Sequence, residues 1–219
     1  MSIKLKALGL GLLAAMAMSA VAVMNAGAET GGHFTSEASH TVVSGKEAAP
    51  NHTVKFASDG GTPIECTTAE YSGTISGTSA TSVSITPTYK ECRTENETEH
   101  KVSVDMKGCS YTFTVSKNPA GHNTVHLVCP EGVAGAQINH PNCTMRMPAQ
   151  TTGGGVSYSS VTVNKKSAIT AGVTATGITA HYEAGICVFL GTKHTATMTG
   201  AVTLTGSSGG SAVGIGATG

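Results

Sequence analysis

From residue 53 onward, apolar and polar positions along the chain alternate with a period of two. Val54 and Phe56 share one face of "TVKFA" (53–57), and Val83, Ile85, Pro87 and Tyr89 share one face of "TSVSITPTY" (81–89). The same alternation runs through "KVSVDM" (101–106), "CSYTFTV" (109–115), "TVHLVC" (124–129) and "CTMRM" (143–147), which sets Cys143, Met145 and Met147 inward. It continues through "VSYSSVTV" (156–163), "AITAGVTA" (168–175), "GITAHY" (177–182), "ICVFL" (186–190) and "TATMTGAVTLT" (195–205). This period belongs to strands with one buried face, and clusters of Gly, Asn, Pro and Ser separate the segments as turns would. No segment carries the 3.6-residue period of an amphipathic helix. Ten to twelve short strands at this spacing predict an all-β fold, an antiparallel β-sandwich or a barrel-like relative of one.

The two ends break the pattern. Lys4 and Lys6 precede an uncharged run, "ALGLGLLAAMAMSAVAV" (7–23), and "AGA" at Ala26–Ala28 offers small residues for cleavage. This arrangement predicts a signal peptide over 1–28, with no membrane span left once it is removed. Residues 29–51 are small, polar and without period, which predicts a flexible arm. Residues 206–219, "GSSGGSAVGIGATG", predict a flexible Gly/Ser tail. The β-domain is thereby bounded to 52–205.

Composition adds a constraint on the core. Aromatic residues make up 4% of the 219 residues and there is no Trp, so a core of Val, Ile, Ala, Thr and Met must suffice. Such a core buries less area per side chain and gains from covalent bracing. The chain has six Cys, an even number, and an exported chain meets an oxidising compartment. Cys66, Cys92, Cys109, Cys129, Cys143 and Cys187 are therefore expected to form a structural disulfide framework. Antiparallel pairing about "GTSA" (77–80) sets Ile75 across from Val83, Tyr71 across from Pro87 and Cys66 across from Cys92. Cys129 and Cys143 flank a second turn region and form the next expected pair. Elimination leaves Cys109 with Cys187, one choice among fifteen connectivities.

"GCSYTF" (108–113), "VCPEG" (128–132), "CTMRMPAQ" (143–150), "GIT" (177–179) and "GAVTLTG" (200–206) together resemble a group of uncharacterised exported Cys-containing β-proteins of high-GC soil actinobacteria. The likeness covers most of residues 66–206. It implies export and a disulfide-braced β-fold, and it carries over no catalytic residue.

Charge excludes one class of function. Charged residues are 12% of the chain and the formal net charge is zero, so there is no basic stripe for nucleic acid. The candidate chemistry is sparse. His122 and His126 are four apart, but Pro119 and Gly121 oppose a helix there, and His126 takes the solvent-facing parity of its strand. His33, His40 and His52 fall in or beside the arm. Ser208 in "GSSGG" (206–210) matches a nucleophile-elbow spacing but has neither Asp nor His after it. Glu91, Glu95, Glu97 and Glu99 crowd "ECRTENETEH", a run that reads as a solvated loop. No catalytic residue, metal ligand or cofactor site is assigned. The reading is a secreted or envelope-associated structural or binding β-protein, partnered by a cell-surface polymer or another envelope protein. The alternative is an extracellular hydrolase whose site is gathered from distant loops.

Overall fold

The computed structural model describes residues 31–47, 54–57, 62–99, 101–116, 123–187 and 191–219. Every regular element among them is a strand. In chain order these are β1 (His33–Ser36), β2 (His40–Glu47), β3 (Val54–Ala57), β4 (Ile64–Ser76), β5 (Ser79–Ala80) and β6 (Ser82–Thr94). Then follow β7 (Ser103–Asp105), β8 (Ser110–Thr114), β9 (Val125–Val128), β10 (Ala136–His140), β11 (Cys143–Met147) and β12 (Gln150–Thr151). The last five are β13 (Gly153–Val163), β14 (Lys166–Gly185), β15 (Thr192–Ser208), β16 (Ser211–Val213) and β17 (Ile215–Thr218). The expected signal peptide lies outside the described residues.

Fourteen strands form one antiparallel sheet in the order β12-β9-β8-β6-β4-β2-β15-β14-β11-β10-β7. Off this path, β13 pairs with β14, β16 with β15, and β3 with both β15 and β4. The sheet curls until it meets itself in two places. Val102, just before β7, donates its N–H to the Cys92 carbonyl of β6 at 3.1 Å. At the other closure Val156 of β13 donates to the Asn123 carbonyl at 3.3 Å, and the Asn123 side-chain amide returns a bond to the Val156 carbonyl at 2.6 Å. Closing a sheet satisfies backbone groups that an open edge would leave unpaired. A small sheet, β17-β1-β5, completes the fold. The all-β, antiparallel, disulfide-braced reading holds, in its barrel-like form.

Alternation does the packing. On β6, Val83, Ile85, Pro87 and Tyr89 are buried while Ser84, Thr86 and Thr88 are exposed. Tyr111, Phe113, Met145, Met147, Met198, Val202 and Leu204 join the same core from β8, β11 and β15. Few aromatics serve it, and they meet edge to face: Phe56 on Tyr89 at 5.5 Å and Phe34 on Tyr158 at 5.4 Å. That arrangement sets the positive edge of one ring against the negative face of the next.

The hairpin of β4 and β6 has the expected register, with Tyr71 across from Pro87 and Cys66 across from Cys92. Yet Cys66 and Cys92 stand at even positions, whereas Ala69, Tyr71, Ile75, Val83, Ile85 and Tyr89 fill the core from odd ones. Strict alternation would turn both sulfurs to solvent. Both strands change face between the cysteines and the rest of the hairpin, at Thr67 and Glu91. Glu91 takes a left-handed backbone at φ 52°, and its carboxylate accepts bonds from the Thr67 and Thr68 hydroxyls at 2.8 and 3.1 Å. The Cys66–Cys92 disulfide is thus buried, with Cα atoms 3.9 Å apart.

The other two expected pairings are corrected. Cys109 bonds Cys129 and Cys143 bonds Cys187. β8 and β9 are antiparallel neighbours, and Ser110 across from Val128 brings Cys109 to Cys129 in the next step of the same register. Cys129 cannot reach Cys143 for the same reason. The region between them is no simple turn: it contains β10, which pairs with β11 through His140 and Cys143. Cys143 in turn faces Gly185 of β14, two residues from Cys187. With Cys109 on Cys129 and Cys187 on Cys143, the expected Cys109–Cys187 link is excluded.

The expected arm and tail are also corrected where they are described. β2 lies in the middle of the large sheet, between β4 and β15, and β1 pairs with β17. Phe34, Val43 and Ile215 are each at most 2% exposed. The inward positions of β2 are Thr41, Val43 and Gly45, so only one of three is a large apolar residue and the alternation is hidden. Gly45 is small because a Cβ there would lie 2.6 Å from Leu204 Cδ2 and 2.8 Å from Val202 Cγ2. The tail is a hairpin: Gly209 and Gly210, at φ 56° and 81°, turn β15 into β16.

Two expected outcomes follow from this packing. Combined tryptic and Glu-specific digestion of the unreduced protein should release linked peptides for Cys66–Cys92, Cys109–Cys129 and Cys143–Cys187, and thiol titration of the denatured, unreduced protein should find essentially no free thiol; a peptide joining Cys129 to Cys143 would contradict the strand order. Gly73→Ala should destabilise the fold by about 2 kcal/mol or more in denaturant unfolding, because overpacking against rigid neighbours is not relieved. Its new Cβ would lie 2.4 Å from the Ser84 carbonyl oxygen of the paired strand.

Candidate functional site: a hydroxyl-bearing outer face

The inward rows leave a matching set of outward ones. On β13, β14, β15, β2, β4 and β6 one row runs Ser159, Thr170, Thr203, Lys46, Glu70 and Thr88, each the register partner of the next. Hydroxyls at β-branched positions suit a strand and stand at fixed rotamers. Thr170 and Thr203 hydroxyls lie 3.3 Å apart, and those of Ser84 and Thr112 lie 2.9 Å apart on β6 and β8. Glu70 in this row is paired with Lys90 of β6 at 3.0 Å. Exposed large apolar side chains among the described residues are Val42, Val128 and Ile186, each on a different part of the surface.

One stretch of this face is recessed. Ser157, Gly172 and Ala201 form a row with almost no side chain, flanked by Gly155, Thr174 and Thr199. Together with Lys55 they line an open depression of ≈ 650 Å³. Ser157 donates its hydroxyl to the Gly172 carbonyl at 3.4 Å, and Lys55 is held at one end by ion pairs with Glu65 and Glu95. Val173, Thr199, Gly200 and Ala201 also line an internal void of ≈ 20 Å³ behind the wall, beside Tyr71, Tyr89 and Tyr111. There the Tyr89 hydroxyl donates to Tyr111 at 3.4 Å and Tyr111 to Met198 Sδ at 3.5 Å. Burial raises the pKa of all three phenols, that of Tyr111 to about 12, so they remain neutral hydrogen-bonding groups.

The residues weighed for chemistry do not converge. Glu95 faces Lys55, Glu97 faces His140 at 3.3 Å, and Glu99 faces Lys101 at 2.7 Å. Glu91 serves the change of face between β4 and β6. Each carboxylate has its own partner, so they do not form an opposed pair across a cleft. His126 bonds the Thr151 hydroxyl at 2.8 Å and lies within the outer hydroxyl array. His33 and His40 stand on β1 and β2, while His52 and His122 lie outside the described residues. Among the described residues no three His, Cys, Asp or Glu gather as metal ligands. Ser208 pairs with Ser211 across the Gly209–Gly210 turn, so the strand runs into a hairpin there and not into an elbow helix. No helix among the described residues is long and apolar enough to cross a membrane.

Glu47 is the titratable group that sequence reasoning missed. It ends β2 on the inward parity, with Oε1 buried and without a hydrogen-bond partner among the described residues. Its position in "VVSGKE" gives no hint, because the strand itself was hidden. Burial raises its pKa from 4.5 to about 7, the Ala69 N–H partly opposes that, and the Glu91 carboxylate adds to it.

The chain matches no protein-family model, no curated protein and no solved structure.

The Glu47 environment sets the sign of a pH dependence. A raised carboxyl pKa favours the protonated fold, so the stability tied to it is complete below 4.5 and is lost as pH rises through about 7. Glu47 is only partly buried, and solvent screening of the rest reduces the effect to roughly 1 kcal/mol. The melting temperature should therefore fall by about 2–4 °C between pH 5 and pH 8. Glu47→Gln should flatten that slope, as read by scanning calorimetry; an unchanged slope would place the titrating group elsewhere.

Proposed function

We propose that the protein is an exported structural or binding module, working in the extracellular medium or the cell envelope. The observation that carries this reading is the outer face, where Ser and Thr hydroxyls stand in register across neighbouring strands and an open depression interrupts them. A rigid, hydroxyl-bearing surface with few charges suits a hydroxyl- and amide-rich polymer of the cell surface, or another envelope protein, as partner. Support for the compartment comes from three disulfides between neighbouring strands, a bracing that needs an oxidising environment. The leader-like segment over 1–28 and the likeness to exported actinobacterial proteins point the same way.

Expression of the full chain, followed by fractionation and N-terminal sequencing, tests the compartment. The mature protein should begin at or near Glu29 and be found outside the cytoplasm; a product that keeps residues 1–23 in a membrane fraction would defeat the reading. Co-sedimentation with insoluble cell-wall polymer tests the face. The variant Thr199→Glu should lose about tenfold or more in bound fraction while keeping its melting temperature, since its side chain is exposed.

A further inference from the structure

β13 pairs with β14 in one unbroken register, from Gly153 across Thr176 to Val163 across Lys166. A two-residue turn closes the pair, with Asn164 and Lys165 both left-handed at φ 49° and 64°. In such a hairpin the closing pair exchanges hydrogen bonds, so the odd positions of β13 turn their backbone groups to β14 and the even ones turn theirs away. Val156 obeys this rule, since it spends its N–H and C=O on Asn123. Past Val156 no described residue continues that contact. None of the hydrogen bonds among the described residues uses the outward backbone groups of Tyr158, Ser160 or Thr162.

This edge is unlike the others. The strands that end the two sheet paths are short: β12 and β5 have two residues, β7 three and β17 four. Short edges of that kind resist pairing with another chain, as do edges carrying Lys, Pro or inward charge. β13 is 11 residues long, and "GGGVSYSSVTV" contains none of those devices.

We propose that the outer edge of β13 pairs antiparallel with the same edge of a second copy of this chain, so that one sheet continues across a two-fold axis at Ser160. The chemistry of the edge selects the partner. Unpaired alternate N–H and C=O groups recognise an extended backbone, and an antiparallel strand pairing with itself is closed by two-fold symmetry and leaves no further edge of its own. Centred on Ser160, the outward residues match completely: Ser160 meets Ser160, and Tyr158 meets Thr162 in both directions. No like charges oppose each other, because Lys165 of one copy falls beside Gly155 of the other. The contact is small, so the dimer is a weak one.

Sedimentation of the mature, disulfide-bonded protein from about 5 to 500 µM should show a reversible rise from monomer to twice its mass, with half-association in the range of roughly 10–100 µM. Ser160→Pro removes an N–H that faces solvent in the single chain, and proline is tolerated at such an edge position. That variant should be monomeric throughout and melt within about 2 °C of the parent. Val161→Pro removes an N–H directed to β14 and should melt far lower, which fixes the direction of the edge. Ser160→Lys and Ser160→Glu should each be monomeric alone and associate when mixed, since the two-fold sets the new charges opposite each other. A parent that stays monomeric at the highest concentration overturns the proposal, as does a dimer that survives Ser160→Pro. If Ser160→Pro fails to fold, the Lys and Glu variants carry the test, and their failure to associate on mixing overturns the proposal equally.

Discussion

Keeping one set of side chains inward along very long strands is the constraint on which this fold depends. β4 and β6 have 13 residues each, β15 has 17 and β14 has 20. Strands of five or six residues are usual, and a long twisted strand that alternates strictly soon points its apolar row away from the core it began in. Three of the four strands solve this with a local change of face. β4 and β6 change together at Thr67 and Glu91. β14 changes at Thr176–Gly177, where its register with β15 shifts and Gly177 sits at φ 66°. Ala171, Val173 and Ala175 are inward before that point, and Ile178, Ala180 and Tyr182 after it. The same four strands run through both of the rings that these closures complete, so each ring can be filled from its own inward row.

The core is built from small and medium side chains, and its bracing fits that limitation. All three disulfides join strands that are already neighbours in the sheet. They hold register against slippage more than they tie remote parts together. Slippage is the hazard in a sheet so rich in Ser, Thr and Gly, because one step exchanges the two faces. Cys66–Cys92 lies just beyond the change of face in β4 and β6, where the ladder is irregular. Cys143–Cys187 lies beside the irregular step between Thr144 and Met145. The sulfur bridges therefore sit near points where hydrogen bonding alone specifies register least.

The outer face is a consequence of the same arithmetic. Inward Val, Ala and Met alternate with outward positions, many of them Ser or Thr, and antiparallel register lines these up across strands. Where Gly172 and Ala201 replace the hydroxyl residues the surface recedes, and the wall there is little thicker than backbone. Glu95, Glu97 and Glu99 are held by Lys55, His140 and Lys101, and Glu91 by the backbone irregularity, so the chemistry this protein offers lies on its surfaces and edges.

Much of this was legible from residue order alone. Period-two alternation fixes the all-β class, the inward rows of β6, β8, β11 and β15, and the β4–β6 register down to Cys66 and Cys92, because pairing about a short turn leaves one arrangement that buries the apolar row. Three things were not legible. Cys109–Cys129 and Cys143–Cys187 depend on which strands become neighbours, and β10 was concealed in a stretch that resembles a turn. β1, β2 and β17 were concealed because each brings a single large apolar residue inward, Phe34, Val43 or Ile215, beside small or polar ones such as Ser36, Thr41 and Gly45, whose burial is set by what lies across from them: Gly45 is inward beneath Leu204 and Val202. The half-buried Glu47 and the open edge of β13 likewise exist only once β2 and β13 have their neighbours, because burial and unpaired backbone groups are properties of an assembled sheet and not of a strand.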